Sequence, residues 1–230
     1  MFRSLVLASL LLALGCTPAL TPAPAATAAL PSETVVKLPP PRLKSTISLE
    51  ETLYARRSVR DFADTPLTLS DVSQLLWAAQ GTTAPGRRTA PSAGALYPLE
   101  TYVAAGRVDG LAAGVYRYRT EGHELVRVTD GDTRGQLASA ALGQVSIREA
   151  PLVIVMSGVY ERTAARYGDR GQRYVHLEAG HAAQNVCLQA VGLGLAAVTV
   201  GAFDDAGVKV AARMAPAETP LYLIPVGRAR

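Results

Sequence analysis

The chain has 230 residues, with 23 basic and 19 acidic side chains and a formal net charge of +4 at neutral pH. Its basic residues are interspersed with acidic ones, and no lysine run or row of aromatics forms a groove that could track a nucleic-acid backbone; nucleic acid is therefore excluded as a partner. Two cysteines are too few for a disulfide framework, and His176 and His181, five apart, do not share a helical face as metal ligands would.

Residues 1–15 carry one charge, at Arg3, then an apolar run from Leu5 to Leu14. A run this short falls below the ~20 residues a membrane-spanning helix needs, so it reads as an export signal. Gly15 followed by Cys16 points to a bacterial lipoprotein signal in which the Cys16 sulfur is acylated, placing the protein on the cell envelope, exported and lipid-anchored. Losing residues 1–15 removes Arg3 and no acid, leaving +3. From Cys16 to Lys44 the chain is rich in Pro, Ala and Thr, with Pro22, Pro24, Pro31 and the run Pro39–Pro41; it is expected to be an extended tether. Residues 45–230 remain, enough for one domain with its own core.

Ser48 and Glu51 form a capping box, so a helix starts there, with Leu49, Leu53 and Tyr54 expected to face inward. A second helix follows Thr68, burying Leu69, Val72, Leu76 and Ala79 and closing at Gly81; Trp77 is expected to anchor the core. Residues 81–98 hold too many glycines and prolines for a helix or central strand. Strands are expected at 101–105, 115–118, 124–128, 152–157, 196–200 and 221–226, and helices at 132–142, 160–167, 174–192 and 205–213. Strands mixed with helices in this way predict an α+β sandwich, a sheet covered by helices. Glu178, His181 and Asn185 share one face of the long helix, among small residues suited to close packing at a subunit seam, and Cys187 reads as a small core residue.

The densest chemical feature is Arg56, Arg57, Ser58 and Arg60, three guanidinium groups and a hydroxyl within five residues. Planar, always-charged donor forks fit phosphate oxygens two at a time, so the cluster reads as a phosphate clamp; a solvated basic helix end stays open as the alternative. Taken alone, Pro91–Pro98 reads as a surface loop, Gly201 as readily as the end of a strand before a helix, and Arg228 as a solvated arginine near the terminus.

Four patches in order resemble the nitroreductase family of flavoproteins, within it the SagB/ThcOx-like branch that includes azoline oxidases. They are Arg56–Phe62, Pro91–Glu100, Glu178–Asn185 with Gly180, His181 and Gln184, and Val200–Asp205 followed by Pro225–Arg228. The resemblance implies a nitroreductase-like fold, a central mixed or antiparallel sheet flanked by helices, with FMN at the interface of a homodimer whose sites draw on both chains. It assigns Arg56, Ser58 and Arg228 to the FMN phosphate, Arg57 to their support, and Arg60 to the N1 and O2 edge of the ring, where a cation stabilises the charge of the reduced form. Pro91, Ser92, Ala93, Gly94 and Ala95 would come from the partner and lie along the ring, small enough to let the backbone approach. Val200, Gly201 and Ala202 would face it near N5.

Relatives that oxidise azolines carry Lys-Tyr-Gly before the long helix, where this chain has Arg166, Tyr167 and Gly168. Arginine cannot give up its proton as lysine can, which leaves Tyr167 as the catalytic candidate and counts against azoline oxidation. The expected activity is an FMN-dependent oxidoreductase exchanging hydride between flavin N5 and a small organic substrate. A flavin- or ligand-binding envelope lipoprotein without turnover is the alternative. Arg3 stands alone, without a twin-arginine signal, so the chain is expected to cross the membrane unfolded and take up FMN afterwards.

Overall fold

The computed structural model describes residues 33–230, which form the unit Glu33–Arg230. The expected export signal, Cys16 and the first part of the tether lie outside the described residues.

Two strands buried along their whole length set the architecture. β5 (Leu99–Ala105) and β9 (Leu152–Gly158) are buried at every position and pair antiparallel at the centre of a seven-stranded sheet. Such runs form only where both faces of a sheet are covered. Alternate residues of the central strands feed two cores. Leu99, Val103, Ile154 and Met156 point to one side; Tyr102, Ala104, Val153 and Val155 point to the other. Each fully buried Leu, Ile, Val or Met side chain contributes about 1.5–3 kcal/mol.

The first core is closed by two helices. α1 (Leu69–Gln80) is capped by reciprocal hydrogen bonds between Thr68 and Asp71 and ends at Gly81, as its sequence predicts. α2 (Arg170–Gly192) crosses the sheet with Val175, Ala179, Ala182, Ala183, Val186 and Ala190 buried against it. The second core lies under α3 (Arg134–Ala140), α4 (Val145–Glu149) and α5 (Asp205–Ala212). β7 (Gly114–Arg119) and β8 (Glu124–Asp130) extend the sheet from β5 on one side; β11 (Thr219–Gly227) and the two-residue β10 (Ala196–Ala197) extend it from β9 on the other, every pairing antiparallel. The observed sheet is thus antiparallel throughout, with helices on both faces.

Several expectations are corrected. The tether does not run to Lys44, and the domain does not begin at 45. Val35–Lys37 forms a strand, β1, on the free edge of β8, with Val35 opposite Val126. Leu38 is buried, and the Pro39 carbonyl accepts hydrogen bonds from Ser73 and His123. Three residues are too few to show a strand period, and the surrounding prolines mask them; the neighbouring edge supplies the register. The helix at the Ser48 capping box spans Leu49–Ala55, yet Leu49, Leu53 and Tyr54 are 61, 52 and 82 % exposed and only Thr52 is buried. Trp77 is half-buried, lining a groove with Thr52 and Gln189 rather than anchoring the core. The expected strand 196–200 is regular only at Ala196–Ala197, and α4 was not anticipated.

A tight corner positions the end of one further helix, Tyr160–Tyr167, which packs against the start of α2. A side chain at Gly171 would place a carbon 2.6 Å from the Ala164 nitrogen and 2.7 Å from its Cα, both rigid backbone atoms. Gly171→Ala is therefore expected to lower stability by about 1–3 kcal/mol, as overpacking does, read from the urea midpoint. An unchanged midpoint would show that the corner can open without cost.

Candidate active site

The helix Leu49–Ala55 stops where Arg56 turns extended, with ψ at 124°. The extended stretch then docks on the β10–β11 edge. Val59 N–H donates to the Ala197 carbonyl (3.2 Å), Ala63 N–H to the Arg228 carbonyl (2.9 Å), and Arg230 N–H to the Asp61 carbonyl (3.3 Å). Ser58 and Ala197 form a parallel bridge, Phe62 and Ala229 an antiparallel one. Phe62, 1 % exposed, fixes the segment by inserting beside Ala150 and Ala196. Arg56, Ser58 and Arg60 are thereby brought to the end of β11 from which Arg228 emerges.

Among the described residues, the guanidinium groups of Arg56, Arg60 and Arg228 have no hydrogen-bond or ion-pair partner. Such clustering of like charge is disfavoured unless an anion joins it. Arg57 differs, because its Nη1 donates to the Tyr54 and Arg56 carbonyls (2.7 and 2.8 Å) and so caps the end of the helix. The Cys187 thiol is pushed up by burial, with the nearby Arg56 charge pulling the other way.

Val200 exchanges both backbone hydrogen bonds with Leu223 of β11 (2.8 and 3.0 Å), which leaves Gly201 and Ala202 exposed beyond the bridge. Within the chain a side chain at Gly201 would meet only the Tyr222 ring, at 3.9 Å. The protomer itself does not demand a glycine there; a flat group lying on the backbone would. Unpartnered arginines with a serine donor, and an exposed glycine-bearing backbone further along β11, fit a phosphate-bearing planar cofactor.

A second wall forms elsewhere. In the loop Pro91–Pro98, Gly94, Ala95 and Tyr97 have φ of 62°, 54° and 46°. The left-handed region costs a non-glycine residue about 1–2 kcal/mol, so this loop is held in place by its surroundings. Tyr97 N–H donates to Ser92 Oγ (2.9 Å), Tyr97 O–H to the Gly86 carbonyl (3.0 Å), and Arg162 Nη1 to the Tyr97 carbonyl (3.3 Å). The Arg88 guanidinium lies over the Tyr97 ring at 4.4 Å. A side chain at Gly94 would come within 2.9 Å of the Tyr167 hydroxyl and 3.0 Å of Arg166 Nη1. Tyr167 thus stands against the expected cofactor loop, edge-on to Tyr174 with ring centroids 5.1 Å apart. Pro91–Ala95 and Tyr167 form one set, the arginines and Val200–Ala202 another, and no hydrogen bond among the described residues links the two.

Glu178 departs from expectation. It shares no exposed face with His181; it is 2 % exposed and turned into the protomer, where Gln80 Nε2 lies 3.5 Å from Oε1 and the Ser92 hydroxyl favours the charged form. Three faces of a helix can be buried when two elements pack on it, and a seven-residue spacing cannot show that α1 and the loop would both do so. Gln80, Arg88, Tyr97 and Arg162, which support the loop, carry no sequence signal that joins them.

The nitroreductase family model matches residues 53–228, and the chain belongs to that family. Over 183 residues it is 50 % identical to a Methanocaldococcus jannaschii protein named as a nitroreductase, covering 79 % of this chain and 91 % of that one. A nitroreductase crystal structure from Anabaena variabilis superimposes with TM-score 0.77 at 30 % identity, over 87 % of this chain; the match spans 42 % of that longer chain. A chain of the E. coli microcin synthetase complex, solved with truncated pro-MccB17 bound, gives TM-score 0.68 at 26 % identity, over 76 % of this chain and 70 % of that one, in keeping with the SagB-like branch. Members of the family are generally flavin-dependent oxidoreductases and commonly homodimers with FMN at the interface.

Burial pushes the Glu178 carboxyl up to about 6 from an ordinary 4.5, although Ser92, Gln80 and Arg88 favour the anion. The folded chain therefore holds this proton more tightly than the unfolded one. The stability it confers is complete below pH ~4.5 and lost as pH rises through about 6. The unfolding free energy of Glu178→Gln, relative to wild type, is expected to rise by about 2 kcal/mol between pH 4.5 and 7 in urea titrations. A difference that does not vary with pH would rule out a raised carboxyl.

Proposed function

We propose that this chain is an FMN-dependent oxidoreductase that exchanges hydride with a small organic substrate, acting as a homodimer on the bacterial envelope, where acylated Cys16 anchors it. The observation that carries the reading is the docking of Arg56–Phe62 on the β10–β11 edge, which gathers Arg56, Ser58, Arg60 and Arg228 without giving the three arginines partners among the described residues.

In this reading Arg56, Ser58 and Arg228 bind the phosphate, and Arg57 keeps their segment in place through the carbonyls of Tyr54 and Arg56. Arg60 supplies a cation for the electron-rich edge of the ring. When bound, FMN supplies two-electron chemistry by accepting or donating hydride at N5. Gly201 and Ala202 offer bare backbone to the ring, while the loop Pro91–Ala95 and Tyr167 of a second copy close the other side. One fact supports a second copy at the site: the face carrying Ile47, Leu49, Leu53 and Tyr54 is apolar and exposed. No described helix is long and apolar enough to cross a membrane, so the anchor proposed is the lipid on Cys16.

Tyr167 is the proton-transferring group of this proposal. Arg166, whose guanidinium lies 5.6 Å from the Tyr167 ring, stands where azoline-oxidising relatives carry lysine, and it cannot accept a substrate proton. Similarity to a microcin synthetase chain therefore does not bring azoline oxidation with it. The same residue favours the second reading, a flavin-binding lipoprotein without turnover. A screen of donor and acceptor pairs separates the two, and failure of every pair supports the binder. Because NAD(P)H is held in the cytoplasm, electrons are expected to come from the organic substrate and leave to oxygen or a quinone. Rapid bleaching of the flavin band on stopped-flow mixing with NADPH would count against that route.

Arg56→Ala is expected to weaken FMN binding by about 10- to 100-fold in calorimetric titrations, the loss of a charge-assisted contact, and Ser58→Ala by less. Equal affinity in wild type and both variants rejects the clamp. Arg60→Ala is expected to lower the flavin reduction potential with a smaller effect on binding, measured by spectroelectrochemistry. A potential unchanged within error removes the role given to Arg60.

A further inference from the structure

Glu178 is a carboxylate buried at the middle of a long helix that the phosphate clamp and Tyr167 leave unused. Its neighbours form one continuous chain. The Ser92 hydroxyl lies beside Glu178, whose charged form it favours, and accepts from Tyr97 N–H at 2.9 Å. On the other side Gln80 Nε2 faces Glu178 Oε1, and Gln80 Oε1 accepts from Arg88 Nη1 at 3.1 Å. Arg88 then lies over the Tyr97 ring, which closes the circuit on the residue where it began. The bond from Arg88 fixes the Gln80 amide, so its nitrogen must point at Glu178. Gln80 and Ser92 both favour the charged form of the Glu178 side chain, because a carboxylate accepts from such donors more strongly than a neutral carboxyl does.

We propose that Glu178 is the positioning residue of the Pro91–Tyr97 loop: its carboxylate orients Ser92 and Gln80 together, and this holds Gly94, Ala95 and Tyr97 in their left-handed path against Tyr167. The inference rests on the reading that this loop lies along the flavin. It assigns Glu178 no contact with cofactor or substrate. Burial favours the neutral form of a group that holds the loop better when charged, so the ionisation that serves the loop opposes folding. Arg88 is the charged group that faces Glu178 from the 87–88 strand. α1 presents neutral Gln80, the loop neutral Ser92, and on α2 itself Tyr174 and His181 stand one turn before and after.

The test compares the full chain with Glu178→Gln, which keeps the shape and removes the charge. FMN dissociation constants are measured for both proteins from pH 5 to 8, and their ratio cancels the titration of the FMN phosphate itself. The ratio is expected to be near one at pH 5, where Glu178 is neutral, and to reach about tenfold at pH 8, the scale of one charge-assisted hydrogen bond. Hydrogen exchange without FMN is read on the same proteins: amides 92–97 are expected to exchange about tenfold faster in the variant, while those of β9 are unchanged. A ratio of one throughout, or one that ignores pH, overturns the proposal, and so does an undisturbed loop in the exchange data. If wild type binds no FMN, the flavin reading fails on its own, and exchange of the loop amides still decides whether Glu178 holds them.

Discussion

The β10–β11 edge carries a backbone pairing between segments more than 130 residues apart, Ser58 with Ala197 and Phe62 with Ala229. Nothing local would keep Arg56–Asp61 in one conformation, because the segment is short, extended and strongly charged. The pairing converts it into an edge element whose side chains have fixed directions. Phe62 makes the docking worthwhile, since burial of one such ring contributes about 1.5–3 kcal/mol and also fixes the register. Without it the arginines would repel one another and disperse into solvent. With it they are confined, and the energy of the folded sheet supports a concentration of positive charge that the charge pattern alone would disfavour.

The second wall is organised on a different principle. The loop Pro91–Pro98 has almost no apolar anchorage and passes through three left-handed residues, so hydrogen bonds from outside must over-determine it. Support comes from three directions: the Arg162 hydrogen bond from the helix before α2, Arg88 over the Tyr97 ring, and Ser92 set beside buried Glu178. The same helix carries Tyr167 at its end, so the group proposed to move a proton and the loop proposed to lie on the ring are held by one corner, whose tightness Gly171 permits. Precision at a site of this kind comes from the layer behind the functional side chains.

The antiparallel order of the sheet sends the two walls to different elements, the arginines to the β10–β11 edge and the loop to the start of β5. β5 and β9 occupy its centre, and every connection that returns to them leaves its loops at a sheet end or on an outer helix. The exposed apolar residues of the helix Leu49–Ala55 lie on the surface left over, where a second copy would find complementary material to bury.

Most of the elements were legible from local pattern: the capping boxes at Ser48 and Thr68, the apolar runs of the central strands, the small-residue helix Arg170–Gly192, and the arginine cluster as a unit of chemistry. These are features whose physics acts over a few residues, so a linear reading contains them. What stayed hidden depends on partners brought from afar. Val35–Lys37 becomes a strand only because β8 offers an edge, Leu49 and Tyr54 stay exposed because Thr52 is the contact that the fold selects, and Glu178 turns inward because α1 and a strained loop meet there. Residue types and their spacing thus determined which chemistry the chain can offer. Which groups face one another, and which carboxylate is taken out of water, was decided by tertiary packing, because burial and hydrogen-bond partnership are properties of a place in the fold and not of a position in the chain.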